Sequence, residues 1–128
     1  MNVERLVGMV YDRTIRPLLP RKIAAFNGVP VRAPRLFDAT DVRPAYEATL
    51  VDRIAATVSE EDRVVVVGGG FGVSAVHAAR LTDEHGRVYV FEAAADRVER
   101  VRETARLSGL DDRITVEHAT ISSPVRVA

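Results

Sequence analysis

The sequence predicts an α/β fold: part of a doubly wound parallel sheet, preceded by an N-terminal helical segment. Three observations predict it. Val64-Val65-Val66-Val67 is an unbroken β-branched run, the pattern of a strand buried on both faces. It leads directly into Gly68-Gly69-Gly70-Phe71-Gly72, where missing side chains let the backbone approach a ligand closely. Val88-Tyr89-Val90-Phe91 then repeats the strand pattern and delivers Glu92 to the same edge of the sheet.

The elements follow in order. Val3, Leu6, Val7, Val10 and Ile15 fall near helical spacing, so residues 3–19 predict an amphipathic helix, closed by Pro17 and Pro20. Residues 27–44 hold Asn27-Gly28, Pro30, Pro34, Pro44 and the Asp38-to-Asp41 cluster. That is loop chemistry, with a short extended piece around Val29–Val31. A second helix is expected over 44–58, with Pro44 in its first turn and Asp41 or Arg43 near its cap. Its apolar positions Leu50, Val51, Ile54 and Val58 face one way.

From Arg63 onward the rhythm becomes strand 63–67, helix 72–82, strand 87–92, helix 94–108 and strand 113–117. Gly86 and Gly109 are the expected C′ glycines of the two helices. This β-α-β-α-β order is one half of a doubly wound sheet with right-handed crossovers. The expected division is a helical and loop segment over 1–43 and a half-domain over 44–128.

Composition bounds the function. With 128 residues the chain is one domain or part of one, and 47% hydrophobic residues suit a packed core. The formal net charge is zero, so no general pull toward nucleic acid or membrane is expected. The charge is uneven: residues 1–36 carry seven basic side chains against Glu4 and Asp12. The bland reading of that bias is a solvated face. The absence of cysteine excludes disulfides, thiolate chemistry and Cys-based zinc sites, and is compatible with a cytoplasmic location. No apolar run approaches the ~20 residues of a spanning helix. His77, His85 and His118 are too scattered for known metal-ligand spacings, so no metal site is expected.

A glycine loop after one strand and an acid at the tip of the next point to an adenosine-containing cofactor. The carboxylate of Glu92 can accept hydrogen bonds from both ribose hydroxyls. The loop alone leaves two readings open. Gly70-x-Gly72-x-x-Ala75 suits a dinucleotide such as FAD or NAD, with its pyrophosphate at the helix N-terminus. Gly68-x-Gly70-x-Gly72 suits S-adenosylmethionine, which has no pyrophosphate.

The stretch Ala105-Arg-Leu-Ser-Gly-Leu-Asp-Asp-Arg-Ile-Thr-Val-Glu-His-Ala119 resembles the helix–turn–strand after the ribose acid in class I S-adenosylmethionine-dependent methyltransferases. The resemblance covers roughly residues 40–121. Val67-Gly-Gly-Gly-Phe-Gly-Val-Ser and the Tyr46-Glu47 helix look most like the FkbM-type branch, which methylates oxygen on small molecules and sugars. The resemblance implies a Rossmann-like fold with S-adenosyl-L-methionine held by Gly68, Gly69, Gly70, Phe71, Gly72, Glu92, Ala93 and Thr120. It departs from the family pattern in two places. Val66 stands where an acid often orients the methionine end. Ala119-Thr120 stands where an Asp often meets the adenine, so Thr120 offers only a hydroxyl.

The resemblance further implies seven strands, of which this chain supplies the first three. The expectation is therefore a fragment of a longer product, or a chain that needs a partner at its Val64–Val67 edge. Turnover by the 128 residues alone is not expected, and no residue is assigned as a catalytic base. The acceptor is expected to be a small molecule. The rival readings are a FAD- or NAD-binding oxidoreductase fragment and a non-catalytic Rossmann-like interaction module.

Overall fold

A computed structural model of the chain describes residues 2–15, 18, 22–32 and 42–120. The first element is helix α1 (Val3–Thr14), capped by Asn2, whose Oδ1 accepts a hydrogen bond from the Glu4 amide at 3.1 Å. The regular helix stops at Thr14, short of the predicted residue 19. Pro17 and Pro20, expected to close it, lie outside the described residues.

Strands β1 (Ile23–Phe26) and β2 (Val29–Arg32) form an antiparallel hairpin. Its turn is Asn27-Gly28, with φ of +48° and +75°. Two positive φ angles in succession are what a two-residue hairpin with the native strand twist needs, and Asn-Gly supplies them. A short strand β3 (Val42–Arg43) pairs parallel with β1, giving the order β2-β1-β3. The extended piece expected around Val29–Val31 is β2, whereas β1 and β3 were not expected, and residues 33–41 of the expected loop lie outside the described residues. Pro30 is compatible with β2 because β2 is an edge strand, free of any partner on its outer side.

Helix α2 (Ala48–Thr57) begins later than expected because residues 44–47 form turns. Its N-cap is Glu47, in the left-handed region at φ +49°. Arg43 lies in β3 rather than at the cap, and Asp41 is outside the described residues.

The next five elements fall within a residue of the expected bounds: β4 (Arg63–Val67), α3 (Val73–Leu81), β5 (Arg87–Glu92), α4 (Ala95–Leu107) and β6 (Ile114–His118). The strands are parallel in the order β4-β5-β6, with Val66 beside Val90 and Val90 beside Val116. Helix α4 ends as predicted at Gly109, whose φ is +67°. Leu110 N–H reaches back to Ala105 O at 2.9 Å and Gly109 N–H to Arg106 O at 3.0 Å, a Schellman closure. Gly86 has a different role from the one expected. Helix α3 ends four residues earlier, with Thr82 as its cap. A Cβ on Gly86 would lie 2.5 Å from Thr82 Cβ and 2.6 Å from Glu60 O, so the position has no room for one.

Right-handed crossovers advancing in one direction place α3 and α4 on the same face of the sheet. Val88, Val90, Ile114 and Val116 are buried in one cluster with Val73, Val76, Val98 and Val101 from these helices. The small sheet packs on the same helices through β2 and adds Ala24, Phe26, Val29 and Val31 to that cluster. Three polar ties hold it there. Arg32 pairs with Glu103 on α4, His77 Nε2 donates to the Asn27 carbonyl at 2.8 Å, and the Arg80 guanidinium donates to Gly28 O at 3.2 Å.

One expectation about β4 fails. Its residues alternate rather than being buried on both faces: Val64 and Val66 are partly buried, while Val65 is 48% and Val67 66% exposed. Among the described residues β4 is a sheet edge, and no element covers the face that carries these two valines.

Candidate functional site

The site is built where β4 and β5 end side by side. At the tip of β4 the chain passes through Gly68, Gly69, Gly70, Phe71 and Gly72 before α3 begins. Gly68, Gly70 and Gly72 have φ of +80°, +55° and +89°, a path only glycine follows without strain. Gly69 is glycine for a different reason. It is buried, and a Cβ there would lie 2.5 Å from Val101 Cγ2 and 3.1 Å from Val90 Cγ1. The loop therefore presses onto α4 and β5 with its backbone.

Glu92 ends β5 and is 4% exposed. Its Oε2 accepts the Gly69 N–H at 2.8 Å and its Oε1 accepts the Ala94 N–H at 3.0 Å. The carboxylate thus points into the glycine loop and ties the two strand tips together. The Ala94 and Gly69 amides hold its pKa below the ordinary carboxylate value, against the opposing effect of burial, with smaller help from Arg97 and the Ala93 amide. The group is an anion at neutral pH. Gly69 and Ala94 thus supply one short amide contact to each oxygen of a group that can accept roughly four.

The other predicted residues divide. Ala93 follows Glu92, is exposed, and its carbonyl accepts from His118 Nε2 at 2.9 Å. Thr120 is exposed two residues beyond β6, just past the point where Ala119 N–H bonds to Glu92 O at 3.0 Å. Both lie at the edge where the strands end. Phe71 is in the loop, but its ring belongs to a packed aromatic group. It meets Phe26 edge-on at 5.0 Å between centroids and Tyr46 at 6.0 Å. The Arg100 guanidinium sits 4.7 Å from the Phe71 centroid. Among the described residues no cluster of three or more His, Cys, Asp or Glu is placed to hold a metal. No helix among them is long and apolar enough to cross a membrane.

Tyr46, which is not among the predicted site residues, also lies at the loop. Its hydroxyl is the nearest atom to where a Gly70 Cβ would stand, at 3.7 Å. Its ring stacks tilted on Phe26 at 5.0 Å. The resemblance singles out Tyr46-Glu47, but the contact with the loop depends on packing against Phe26 and is not readable from local sequence.

Solved structures with the same arrangement identify the fold. A protein provisionally described as an rRNA methylase from Clostridium thermocellum shares 27% identity at a TM-score of 0.54, over 57% of this chain and 39% of that one. A SAM-dependent O-methyltransferase from Thermotoga maritima shares 24% at a TM-score of 0.57, over 60% and 29%. A provisionally assigned transferase from Pyrococcus horikoshii shares 18% at 0.57, over 76% and 35%. The fold is that of the SAM-dependent methyltransferases. This chain spans between 29% and 39% of the length of these three proteins. No curated protein matches the chain.

A sequence model described as alpha/beta hydrolase matches residues 45–108, half of the chain. By that match alone the chain belongs to the alpha/beta hydrolase family; by structure it carries the methyltransferase fold. The matched segment runs from the turn before α2 through α4 and includes β4, α3 and β5. Hydrolase chemistry in that segment needs a serine on a sharp turn between strand and helix, within Gly-x-Ser-x-Gly. Here Ser74 is the second residue of α3, 5% exposed, in Gly72-Val73-Ser74-Ala75-Val76. A five-residue loop, 68–72, separates it from β4.

Proposed function

We propose that the chain is the cofactor-binding part of an S-adenosylmethionine-dependent methyltransferase of the FkbM-like branch, serving a small-molecule or sugar oxygen in the cytoplasm. The observation that carries this reading is the 2.8 Å contact between Glu92 Oε2 and Gly69 N–H, which joins a ribose-reading carboxylate to a side-chain-free loop. The residues fit the group. The space above Gly68 is open, since a Cβ there would meet nothing within 4 Å. The free acceptor positions of Glu92 suit two adjacent hydroxyls. Ala93 and Thr120 stand beside them at the adenine end.

When bound, the cofactor supplies an electrophilic sulfonium methyl. The chain's own part is binding and orientation. Gly68–Gly72 seat the amino-acid end, Glu92 fixes the ribose, and the buried base of the loop keeps water from beneath the site. Among the described residues we assign no general base, and the acceptor-side chemistry is left unassigned. Completion by a partner chain or a second copy along β4 is consistent with the exposed Val65 and Val67.

Calorimetric titration with S-adenosylhomocysteine, NADH and FAD tests the reading. Saturable binding of the first alone is expected. Binding of NADH or FAD alone replaces it with the dinucleotide reading, and no binding favours a non-catalytic module. Hydrolysis of an aryl ester, abolished by Ser74→Ala, supports the hydrolase assignment instead.

A further inference from the structure

Resting on that reading, we infer that Tyr46 completes the site as the hydrogen-bond donor for the carboxylate at the cofactor's amino-acid end. The placement follows from the sheet. Glu92 holds the ribose at the tip of β5, and β4 is its neighbour, so a ligand lying across the two tips puts its far end over Gly70. The atom waiting there is the Tyr46 hydroxyl, 3.7 Å from the missing Cβ of Gly70. No hydrogen bond is made by that hydroxyl among the described residues. It is a donor whose ring is fixed by Phe26 and Phe71 while its polar end faces the loop.

The surroundings suit an anion. The Arg100 guanidinium sits over Phe71 and the Arg43 guanidinium lies 5.3 Å from the centroid of Phe26, the two rings that flank Tyr46. Both cations act on the Tyr46 hydroxyl. Burial and Glu47 outweigh them and keep the phenol protonated past neutrality, so it remains able to donate. A protonated phenol whose ring neighbours each carry a guanidinium can donate to a carboxylate, which none of the glycines can do with a side chain.

The experiment compares two ligands on two proteins. S-adenosylhomocysteine has the amino-acid end, whereas 5′-methylthioadenosine has the same ribose and adenine without it. Calorimetric titration of the wild-type 128-residue chain is expected to show binding of both, with S-adenosylhomocysteine tighter. Tyr46→Phe, which keeps the ring, is expected to weaken S-adenosylhomocysteine roughly tenfold and leave methylthioadenosine unchanged. Equal loss for both ligands, or no loss for either, overturns the inference. So does a wild-type protein that binds the two equally, although the adenosine reading then stands. A wild-type protein that binds neither overturns the reading itself, and the inference with it. If Tyr46→Phe does not fold by circular dichroism, Arg100→Gln takes its place and leaves the three rings intact. Selective weakening of S-adenosylhomocysteine is expected there as well, and an unchanged ratio of affinities overturns the inference.

Discussion

Glu92 and Gly69 are 23 residues apart in sequence and joined by a 2.8 Å hydrogen bond between side-chain Oε2 and backbone N–H. The contact makes the shape of the glycine loop depend on the charge state of one buried carboxylate. The Ala94 amide, on the other oxygen, ties the same group to the start of α4.

The sign of the resulting pH dependence follows. The folded pKa of Glu92 lies below its unfolded value, so its contribution to stability is fully present above about pH 4.3 and is lost as pH falls through the lower folded value. Glu92→Gln keeps the size, removes the charge and turns a donor toward one of the two amides. It is expected to destabilise the fold by about 1–3 kcal/mol at neutral pH. Urea melts across pH 3–7 check this: the gap between variant and wild type should narrow at the acid end. A constant gap refutes the assignment of the loss to the charge.

Gly69→Ala and Gly68→Ala separate two reasons for glycine. At Gly69 the added methyl runs into Val101 and Val90 in the core, with an expected loss of about 1–3 kcal/mol. At Gly68 the methyl meets nothing, but φ of +80° strains it by about 1–2 kcal/mol. Val101→Ala should offset part of the first loss and none of the second. A double-mutant cycle measures the coupling, and independent, additive effects in the Gly69 pair contradict the contact.

Phe26→Ala tests whether the small sheet shares the main core. Phe26 is fully buried against Tyr46 and Phe71. An expected loss of about 3–5 kcal/mol in the global unfolding transition reflects a shared core. A separate early transition, with the rest melting as in wild type, means that the small sheet unfolds alone.

Val67→Lys addresses the uncovered edge. Because Val67 is 66% exposed, stability should change by less than about 0.5 kcal/mol. Concentration-dependent light scattering should fall, since a charge on an edge strand opposes pairing with another chain. Unaltered scattering places any association elsewhere.

The parallel sheet was legible because its signals are local. A β-branched run, a glycine loop and a Schellman glycine each declare an element within a few residues. The hairpin was legible in part: the extended piece at Val29–Val31 is β2, but Asn27-Gly28 and Pro30 both read as loop signals, and the four-residue β1 is too short to declare itself. The apolar run of β4 suggested two covered faces, and composition alone does not report that Val65 and Val67 lack a cover. In the site, Glu92 and the glycines could be read from position, and the structure brings them into contact. Tyr46 could not, because its place over Gly70 is set by packing with Phe26 and Phe71.

The tie between Arg32 and Glu103 spans 71 residues of sequence. At ribosomal speeds of roughly 5–20 residues per second, the hairpin is made some 4–14 s before the helix it docks on exists. Tyr46, Phe71 and α3 reach the hairpin sooner, but its α4 side has no partner surface through that interval. Closing so distant a contact carries a loop-entropy cost, so docking of the hairpin on α4 is expected late in folding.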